Sequence, residues 1–325
     1  MIISRTPYRI SFFGGGSDYP DWYLQNGGQV ISTTIDKYIY ISVRYLPPFF
    51  KHKLRFVWSK IEYVKDIDQI MHPSFREVLK FLNIREGVEV HYDGDIPSRS
   101  GVGSSSSFTV GLLNAMYAYQ GKMVSPKKLS EESIHIEQNL IGEIVGSQDQ
   151  TASAYGGFNK ISFQKDGNII VDPIRIKKER KDILEESIML FYTGIARTAE
   201  EIAASYVKDL KEKQNQIVTI QEMVNQAIEI ISNGEILEFG ILLDKLWKEK
   251  RSLSKDVSNN LIDQIYLKAK SSGAIGGKIC GAGGGGFLML FVERKNKKNV
   301  RNALSDLIEV PFKFEPRGSQ IIFYE

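Results

Sequence analysis

The sequence has little cysteine, little charge imbalance and no long hydrophobic run. A single cysteine among 325 residues, Cys280, excludes an internal disulfide framework and a cysteine-based zinc site. The 42 basic and 39 acidic residues give a net charge of +3, so no basic excess directs the chain to nucleic acid or to an anionic membrane surface. The longest apolar stretch, Phe287 to Val292, is far shorter than the roughly 20 residues that span a bilayer.

Neither a secretory signal nor a histidine metal site is recognisable. Arg5 and Arg9 interrupt the apolar first residues, and a signal peptide needs an unbroken apolar centre. The four histidines lack the spacing of zinc ligands. We therefore expect a cytoplasmic protein with small-molecule ligands and no nucleic-acid or membrane partner. The sequence does not fix the oligomeric state and leaves a homodimer open.

The length predicts two domains, because a typical domain has about 150 residues. The 42% of hydrophobic and 25% of charged residues are ordinary for a globular protein. Strand-like segments dominate the first part, helical periodicity follows from about residue 198 to 250, and a strand–helix–strand pattern ends the chain. This order predicts an α+β fold with two lobes, 1–180 and 181–325, joined within the charged segment 177–186.

Several element boundaries follow from local signals. Residues 29–35 and 38–43 are rich in β-branched and aromatic side chains, and the polar pair between them predicts a hairpin turn at Asp36 and Lys37. An apolar helix is predicted over about 106–120. A second helix, about 126–141, begins with Ser125 and Pro126, a capping residue followed by a first-turn proline.

Glycine is mildly enriched and unevenly distributed. Ten of the 28 glycines lie in three loops, which are 14–16, 101–103 and 281–286. The second loop follows a predicted strand and opens a predicted helix, so its backbone N–H groups and the positive helix end form an anion site. It lacks both the Walker A ending and the GxGxxG pattern, and a flexible serine-capped turn remains the alternative.

The third loop and two carboxylates each allow two interpretations. Consecutive glycines cost backbone entropy, so something must offset that cost. One possibility is a tight bend at the entry of strand 287–292, and the other is close approach of a ligand, which we favour. Glu137 on the predicted helix and Asp149, 12 residues later, are suited to share a Mg²⁺–phosphate centre, one as ligand and one as base. Taken alone, Glu137 is more typical of a solvated helix residue and Asp149 of a turn residue.

Taken together, the three loops resemble the three motifs of the GHMP kinases (galactokinase, homoserine kinase, mevalonate kinase and phosphomevalonate kinase relatives). Residues 5–19 resemble the first motif, 97–107 the second, which is the phosphate loop, and 278–287 the third. The motifs occur in the family's order along the whole chain. The resemblance implies a two-lobed fold with an N-terminal nucleotide-binding lobe and a ferredoxin-like C-terminal lobe, and it implies ATP and Mg²⁺ as cofactors.

The resemblance also assigns roles to individual residues. It makes Asp149 the catalytic aspartate, Arg9 the basic residue beside it, and Ser105 and Glu137 the contacts to Mg²⁺. The residues expected to bind the ATP phosphates are Pro97, Gly101, Val102, Gly103, Ser104, Ser105 and Ser106. The residues expected to bind the substrate are Gly15, Gly16, Ser17, Asp18, Gly283 and Gly284. Arg197 follows a predicted strand and is a further candidate for a substrate phosphate, with a surface salt bridge as the alternative.

The substrate implied by the resemblance depends on finer details of the motifs. The glycines at 14–16 and 281–286 are most similar to the sugar-1-kinase branch that includes the heptose 7-phosphate kinases, with the fucokinase type nearby. Galactokinases carry Gly-Glu-His where this chain has three glycines, which argues against galactose. The resemblance implies a kinase for the anomeric hydroxyl of D-glycero-D-manno-heptose 7-phosphate, acting in nucleotide-activated heptose synthesis for surface polysaccharide. The alternatives are a kinase for another sugar and a non-catalytic sensor of sugar or nucleotide on the same fold.

Overall fold

The computed structural model describes residues 1–195, 202, 203, 205, 207, 210 and 212–325, and the described part consists of strands and helices around two sheets. The strands are β1 (Ile2–Phe13), β2 (Gly28–Tyr45), β3 (Leu54–Val57), β4 (Ile61–Val64), β5 (Val88–Gly94), β6 (Phe158–Phe163), β7 (Ile169–Pro173), β8 (Ile188–Tyr192), β9 (Ala274–Ile279), β10 (Phe287–Val292), β11 (Ile308–Glu309), β12 (Phe314–Glu315) and β13 (Gln320–Tyr324). The α-helices are α1 (Pro20–Asn26), α2 (Pro73–Phe81), α3 (Ser104–Tyr119), α4 (Pro126–His135), α5 (Gln148–Tyr155), α6 (Lys178–Ser187), α7 (Gln214–Ser232), α8 (Ile236–Leu253), α9 (Asn260–Ser271) and α10 (Lys297–Ala303). These elements confirm the predicted α+β class.

The larger sheet is organised around the long strand β2. Its main path runs β13-β1-β2-β5-β3-β4, while β6 and β12 also pair with β2, and β7 pairs with β6. The predicted hairpin at Asp36 and Lys37 is wrong, because β2 continues through both residues. The pairing with β1 shifts there, so that Pro7 faces Tyr38 and Tyr8 faces Ile35. The two polar residues form a bulge opposite a proline, which has no N–H to donate to the ladder.

Helix α3 packs its apolar length against the larger sheet and brings the phosphate loop to it. Nearly all of its residues are buried. Gly111 permits close approach, because a Cβ at that position would lie 2.8 Å from Thr6 Oγ1 on β1. Ser4 Oγ on the same strand donates to Gly111 O at 2.8 Å. The middle of α3 is therefore held against the first half of β1.

The smaller sheet has the order β11-β8-β10-β9. The charged segment 177–186, predicted as the connector, is largely helix α6, and it leads directly into β8. The division at residue 180 remains a prediction. Since β13 pairs with β1 and β12 pairs with β2, a domain built on the larger sheet would also include the last strands of the chain.

The predicted helix over 126–141 consists of two different segments. Ser125 caps α4 as expected, since its Oγ accepts from Lys128 N at 3.2 Å. The α-helix ends at His135, and a π-helical segment, Ile136–Ile141, follows and ends at Gly142, which has a φ of +81°. Single π-helical turns are often found at functional sites. Here the wider turn carries Glu137.

Candidate active site

An ion pair between Arg9 and Asp149 lies at the centre of the site. Arg9 comes from β1, and Asp149 lies in the first turn of α5. Arg9 Nε donates to Asp149 Oδ1 at 2.7 Å and Nη2 donates to Oδ2 at 2.6 Å. The arginine side chain is 3% exposed and that of the aspartate 24%, so the carboxylate keeps one face open. This bidentate geometry fixes the plane of the carboxylate and leaves each oxygen a second lone pair.

The same arginine binds the phosphate loop. Arg9 Nη1 donates to Gly101 O at 2.8 Å, and the backbone N–H of Arg9 donates to Val102 O at 3.1 Å. Gly103, with a φ of +77°, precedes α3, and a Cβ there would lie 3.5 Å from Asp149 Oδ2. The N-terminus of α3 therefore lies within a few ångströms of the Asp149 carboxylate, as an anion site next to a base requires.

The serines at the start of α3 point in different directions. Ser104 Oγ accepts from Arg99 N at 3.2 Å within the loop, and Ser106 Oγ donates to Glu137 Oε2 at 2.8 Å. Ser105, which was expected to contact Mg²⁺, is exposed. The contact with Glu137 is thus made by Ser106, a residue assigned to phosphate binding, and the metal role of Ser105 stays a prediction. Pro97 is also exposed.

Glu137 is buried with one carboxylate oxygen unsatisfied. Oε2 accepts from Ser106 and from Gln150 Nε2, the latter at 2.5 Å, whereas Oε1 has no partner among the described residues. Burial and then the charge of Glu143 raise the pKa of Glu137 to about 8. A buried carboxylate with a free oxygen is costly unless a cation or a donor completes it.

The first glycine loop is arranged around Asp18. This carboxylate is buried, and it accepts from Gly16 N and from Gln148 Nε2, both at 2.9 Å. Burial and then the charge of Asp149 raise the pKa of Asp18. Ser17 binds backbone instead of open space, since its Oγ donates to Gly14 O at 2.8 Å. Asp18 therefore lies near Asp149, whereas the hydroxyl of Ser17 is already used within the loop.

The third glycine loop packs against the second one. A Cβ at Gly281 would lie 2.8 Å from Gly101 Cα, and one at Gly286 would lie 2.2 Å from Ser100 O. Two of the three glycines between them are also closely packed, since a Cβ at Gly283 would lie 2.7 Å from Val257 O and one at Gly284 would lie 2.7 Å from Ile202 Cδ1. Close packing thus accounts for glycine at these positions, and their contact with substrate remains a prediction. Arg197, the candidate for a substrate phosphate, lies outside the described residues.

Two buried lysines tie the loops together, and sequence reasoning missed both. Lys278 Nζ donates to Phe12 O at 3.0 Å, just before the first loop, and Lys250 Nζ donates to Gly281 O in the third. Burial lowers the pKa of Lys250 to about 8, and burial followed by the charge of Lys250 lowers that of Lys278. Lys278 opens the third motif and offered a signal, whereas nothing in the sequence distinguished Lys250 from surface lysines on the same helix.

Gln148 and Gln150 were missed as well. Both lie in α5 on either side of Asp149, and both are buried. Their position next to Asp149 in the sequence was the only available signal.

No helix in the described part of the chain is long and apolar enough to span a membrane.

Relatives in sequence and in structure are consistent with this geometry. Two models of one family match the chain, GHMP kinases N terminal domain over residues 67–157 and GHMP kinases C terminal over residues 226–309. The chain is 29% identical to D-glycero-alpha-D-manno-heptose 7-phosphate kinase of Campylobacter jejuni, over 93% of each protein. It is 25% identical to a galactokinase of Pyrococcus furiosus, over 93% of this chain and 92% of that protein. A crystal structure of a D-glycero-D-manno-heptose 1-phosphate kinase from Bacteroides thetaiotaomicron has the same fold, with a TM-score of 0.81, 23% identity and 100% coverage of both chains.

Proposed function

This chain belongs to the GHMP kinase family, whose members are phosphotransferases, and from that premise we propose that it is an ATP- and Mg²⁺-dependent sugar kinase acting on the anomeric hydroxyl of a heptose 7-phosphate. The observation that carries the proposal is the Arg9–Asp149 pair, which lies beside the N-terminus of α3. A general base and an anion site are thereby adjacent, as transfer of a phosphoryl group to an alcohol requires.

The phosphate loop supports the ATP part of the proposal. Backbone N–H groups at the start of α3 and the positive end of its dipole would hold the phosphates of ATP. Arg9 fixes the loop through Gly101 O while it fixes Asp149, so one side chain sets the distance between donor and base. Such positioning is the main contribution that a protein makes to phosphoryl transfer.

Asp149 is suited to take the proton of the acceptor hydroxyl. The anomeric oxygen forms its bond to the γ-phosphorus, the bond from that phosphorus to the β,γ-bridging oxygen breaks, ADP leaves, and the proton passes to a carboxylate oxygen of Asp149. An anomeric hydroxyl is more acidic than an ordinary alcohol, so a carboxylate is an adequate base. Arg9 occupies one lone pair of each carboxylate oxygen and orients the others.

The residues at Glu137 fit a Mg²⁺ ion. Oε1 of this buried carboxylate has no partner among the described residues, and Mg²⁺ takes oxygen ligands, often one or two carboxylates together with phosphates. Glu137 would hold the ion together with a serine of the phosphate loop, Ser105 by the family pattern. When bound, the ion neutralises charge on the phosphates of ATP.

The sugar assignment depends on sequence similarity along the whole chain. The Campylobacter jejuni relative, which covers 93% of this chain, is named as a heptose 7-phosphate kinase. This chain has Gly14, Gly15 and Gly16 where galactokinases have Gly-Glu-His, and this difference argues against galactose as the substrate. A product phosphorylated at the anomeric position is what a nucleotidyltransferase needs, which supports a place in nucleotide-activated heptose synthesis.

The experiment is a panel of acceptors with ATP and Mg²⁺, in which the release of ADP is followed. The panel contains D-glycero-D-manno-heptose 7-phosphate, the unphosphorylated heptose, mannose, fucose and galactose. We expect the highest kcat/KM for the heptose 7-phosphate. A higher kcat/KM for fucose or galactose would contradict the heptose assignment but keep the kinase. Binding of ATP and sugar without turnover of any acceptor would instead support the non-catalytic sensor.

A further inference from the structure

The amide of Gln148 has a role that the Asp149 mechanism does not use. Gln148 directly precedes Asp149 at the start of α5 and is 8% exposed. Its Nε2 donates to Asp18 Oδ2 at 2.9 Å. This contact turns the donor end of the amide towards Asp18 and Oε1 away from it.

Oε1 of Gln148 is a buried acceptor with no partner in the described part of the chain. Withdrawing such an oxygen from water without a donor is costly, and buried side-chain oxygens in proteins usually have a partner. Gln150 Oε1 and Glu137 Oε1 share this property. Gln148 and Gln150 flank Asp149 in the sequence of α5, and the carboxylate of Asp149 is itself 24% exposed.

The space beside this amide is open at Gly15. This glycine is partly exposed between two buried neighbours, Gly14 and Gly16. A Cβ built on Gly15 would have only Gln148 Nε2 within 4 Å, at 3.8 Å. The Nε2 end of the amide thus borders the place in the first loop where the backbone leaves room.

We propose that Gln148 Oε1 accepts a hydrogen bond from the sugar hydroxyl vicinal to the anomeric hydroxyl, while Gln148 Nε2 holds Asp18. The inference rests on the proposed sugar kinase and adds a residue that selects for a hydroxyl at C2. A hydroxyl is a donor that the buried oxygen lacks. The Gln148 amide binds Asp18, which lies near Asp149, so the hydroxyl next to the reacting one is the first candidate donor on the sugar.

The test is a double-mutant cycle between the protein and the sugar. Wild type and Gln148→Met are assayed with the best acceptor of the panel and with its 2-deoxy analogue. We expect each single change to lower kcat/KM about 10-fold, as for a lost neutral hydrogen bond with one partner left unpaired. We expect the two changes together to cost little more than one of them, because they remove the same contact.

Gln150→Met is the matched control, since it removes a buried glutamine of the same helix that binds Glu137. It should lower activity equally for both sugars. Additive losses for Gln148→Met and the 2-deoxy sugar, with Tm near that of the wild type, would overturn the inference, as would coupling to a different deoxy position only. If Gln148→Met does not fold, Gln148→Asn is used, which keeps the amide one methylene shorter and should weaken discrimination against the 2-deoxy sugar.

The acceptor panel tests the proposed substrate and the double-mutant cycle tests the role of Gln148, so their failures are distinguishable. If the wild type prefers a sugar other than the heptose 7-phosphate, the proposed substrate is wrong, and the cycle is run with the 2-deoxy form of the preferred sugar. If the wild type phosphorylates the heptose 7-phosphate and the cycle is additive, the substrate stands and Gln148 has no role in recognising the hydroxyl.

Discussion

The first and third glycine-rich loops have a similar composition and different surroundings. In the third loop, Gly286 would place a Cβ 2.2 Å from Ser100 O, so backbone fills the space that a side chain would need. In the first loop, Gly15 has only the Gln148 amide nearby, at 3.8 Å, and stays partly exposed. Clustered glycines therefore indicate close packing of backbone as readily as ligand binding, and the open space around them distinguishes the two.

Hydrogen bonding separates the two loops in the same way. Gly286 O accepts from both Thr193 N and Thr193 Oγ1, and Gly281 O accepts from Lys250. Beside the first loop, by contrast, buried acceptors on Gln148 and Glu137 have no partner in the described residues. We therefore propose that the third loop holds the phosphate loop in place and that the ligand binds at the first loop and α5.

The largest effect on activity is expected from replacing Asp149. Asp149→Asn removes the base and should lower kcat by about 10³-fold or more, within the range for general base catalysis. Tm should also fall, since Arg9 loses its buried countercharge, while binding of ATP measured by calorimetry is retained. Asp306→Asn, at an exposed surface position, is the control. Turnover close to that of the wild type would remove Asp149 from its role.

A pair of glycine variants tests the comparison itself. Gly286→Ala forces a side chain into Ser100 O at a φ of +80° and should destabilise the protein by more than about 1 kcal/mol. Gly15→Ala has room and should leave Tm nearly unchanged while it raises KM for the sugar. Thermal unfolding and steady-state kinetics of both variants give the answer. Equal losses of Tm in the two variants would contradict the distinction between a closely packed third loop and an open first loop.

Two serines in the phosphate loop should separate stability from metal use. Ser105→Ala changes an exposed hydroxyl and should leave Tm unchanged, but it should raise the Mg²⁺ needed for half-maximal activity about 10-fold or more. Ser106→Ala removes the bond to Glu137 and should lower stability by about 1 kcal/mol. If Ser106→Ala alone raises the Mg²⁺ requirement, Ser106 is the serine that serves the metal.

The smallest expected effect concerns Lys250, the buried lysine that binds Gly281 O in the third loop. Burial lowers the pKa of Lys250 from 10.5 to about 8, so the unfolded chain binds more protons between these values. The wild type should therefore gain stability relative to Lys250→Met as the pH rises from 8 towards 10.5, since the cost of burying the charge disappears. Chemical denaturation at several pH values measures this difference. A stability difference that does not change with pH would mean that folding leaves the pKa of Lys250 unshifted.

Much of the site could be predicted because its residues stand in short motifs. The resemblance named Arg9 and Asp149 as partners, and the structure joins them by two hydrogen bonds across 140 positions of the chain. The two-lobed fold was confirmed by the matched family models. The hairpin turn predicted at Asp36 and Lys37 was wrong. Polar residues favour a turn, but β2 pairs with β1 on both sides of these two residues and therefore continues as one strand.

The rest depended on tertiary contacts that local patterns do not encode. Lys250 looks like any helical lysine until Gly281 O is brought to it. The π-helical turn at Glu137 packs against α2, and Ser106 of α3 is turned towards it by its hydrogen bond to Glu137. Gln148 carries no signal of its own, and only the position of Asp18 opposite its amide gives it a role.

The most direct measurement of the central claim is the position of the new phosphate in the product. The heptose 7-phosphate is incubated with enzyme, ATP and Mg²⁺, and the product is examined by ³¹P and ¹H NMR. We predict a 1,7-bisphosphate in which the new phosphorus couples to the anomeric proton, and far less of this product in the same time with Asp149→Asn. Phosphorylation at any other hydroxyl, or no phosphorylated sugar in the presence of bound ATP and acceptor, would contradict the account.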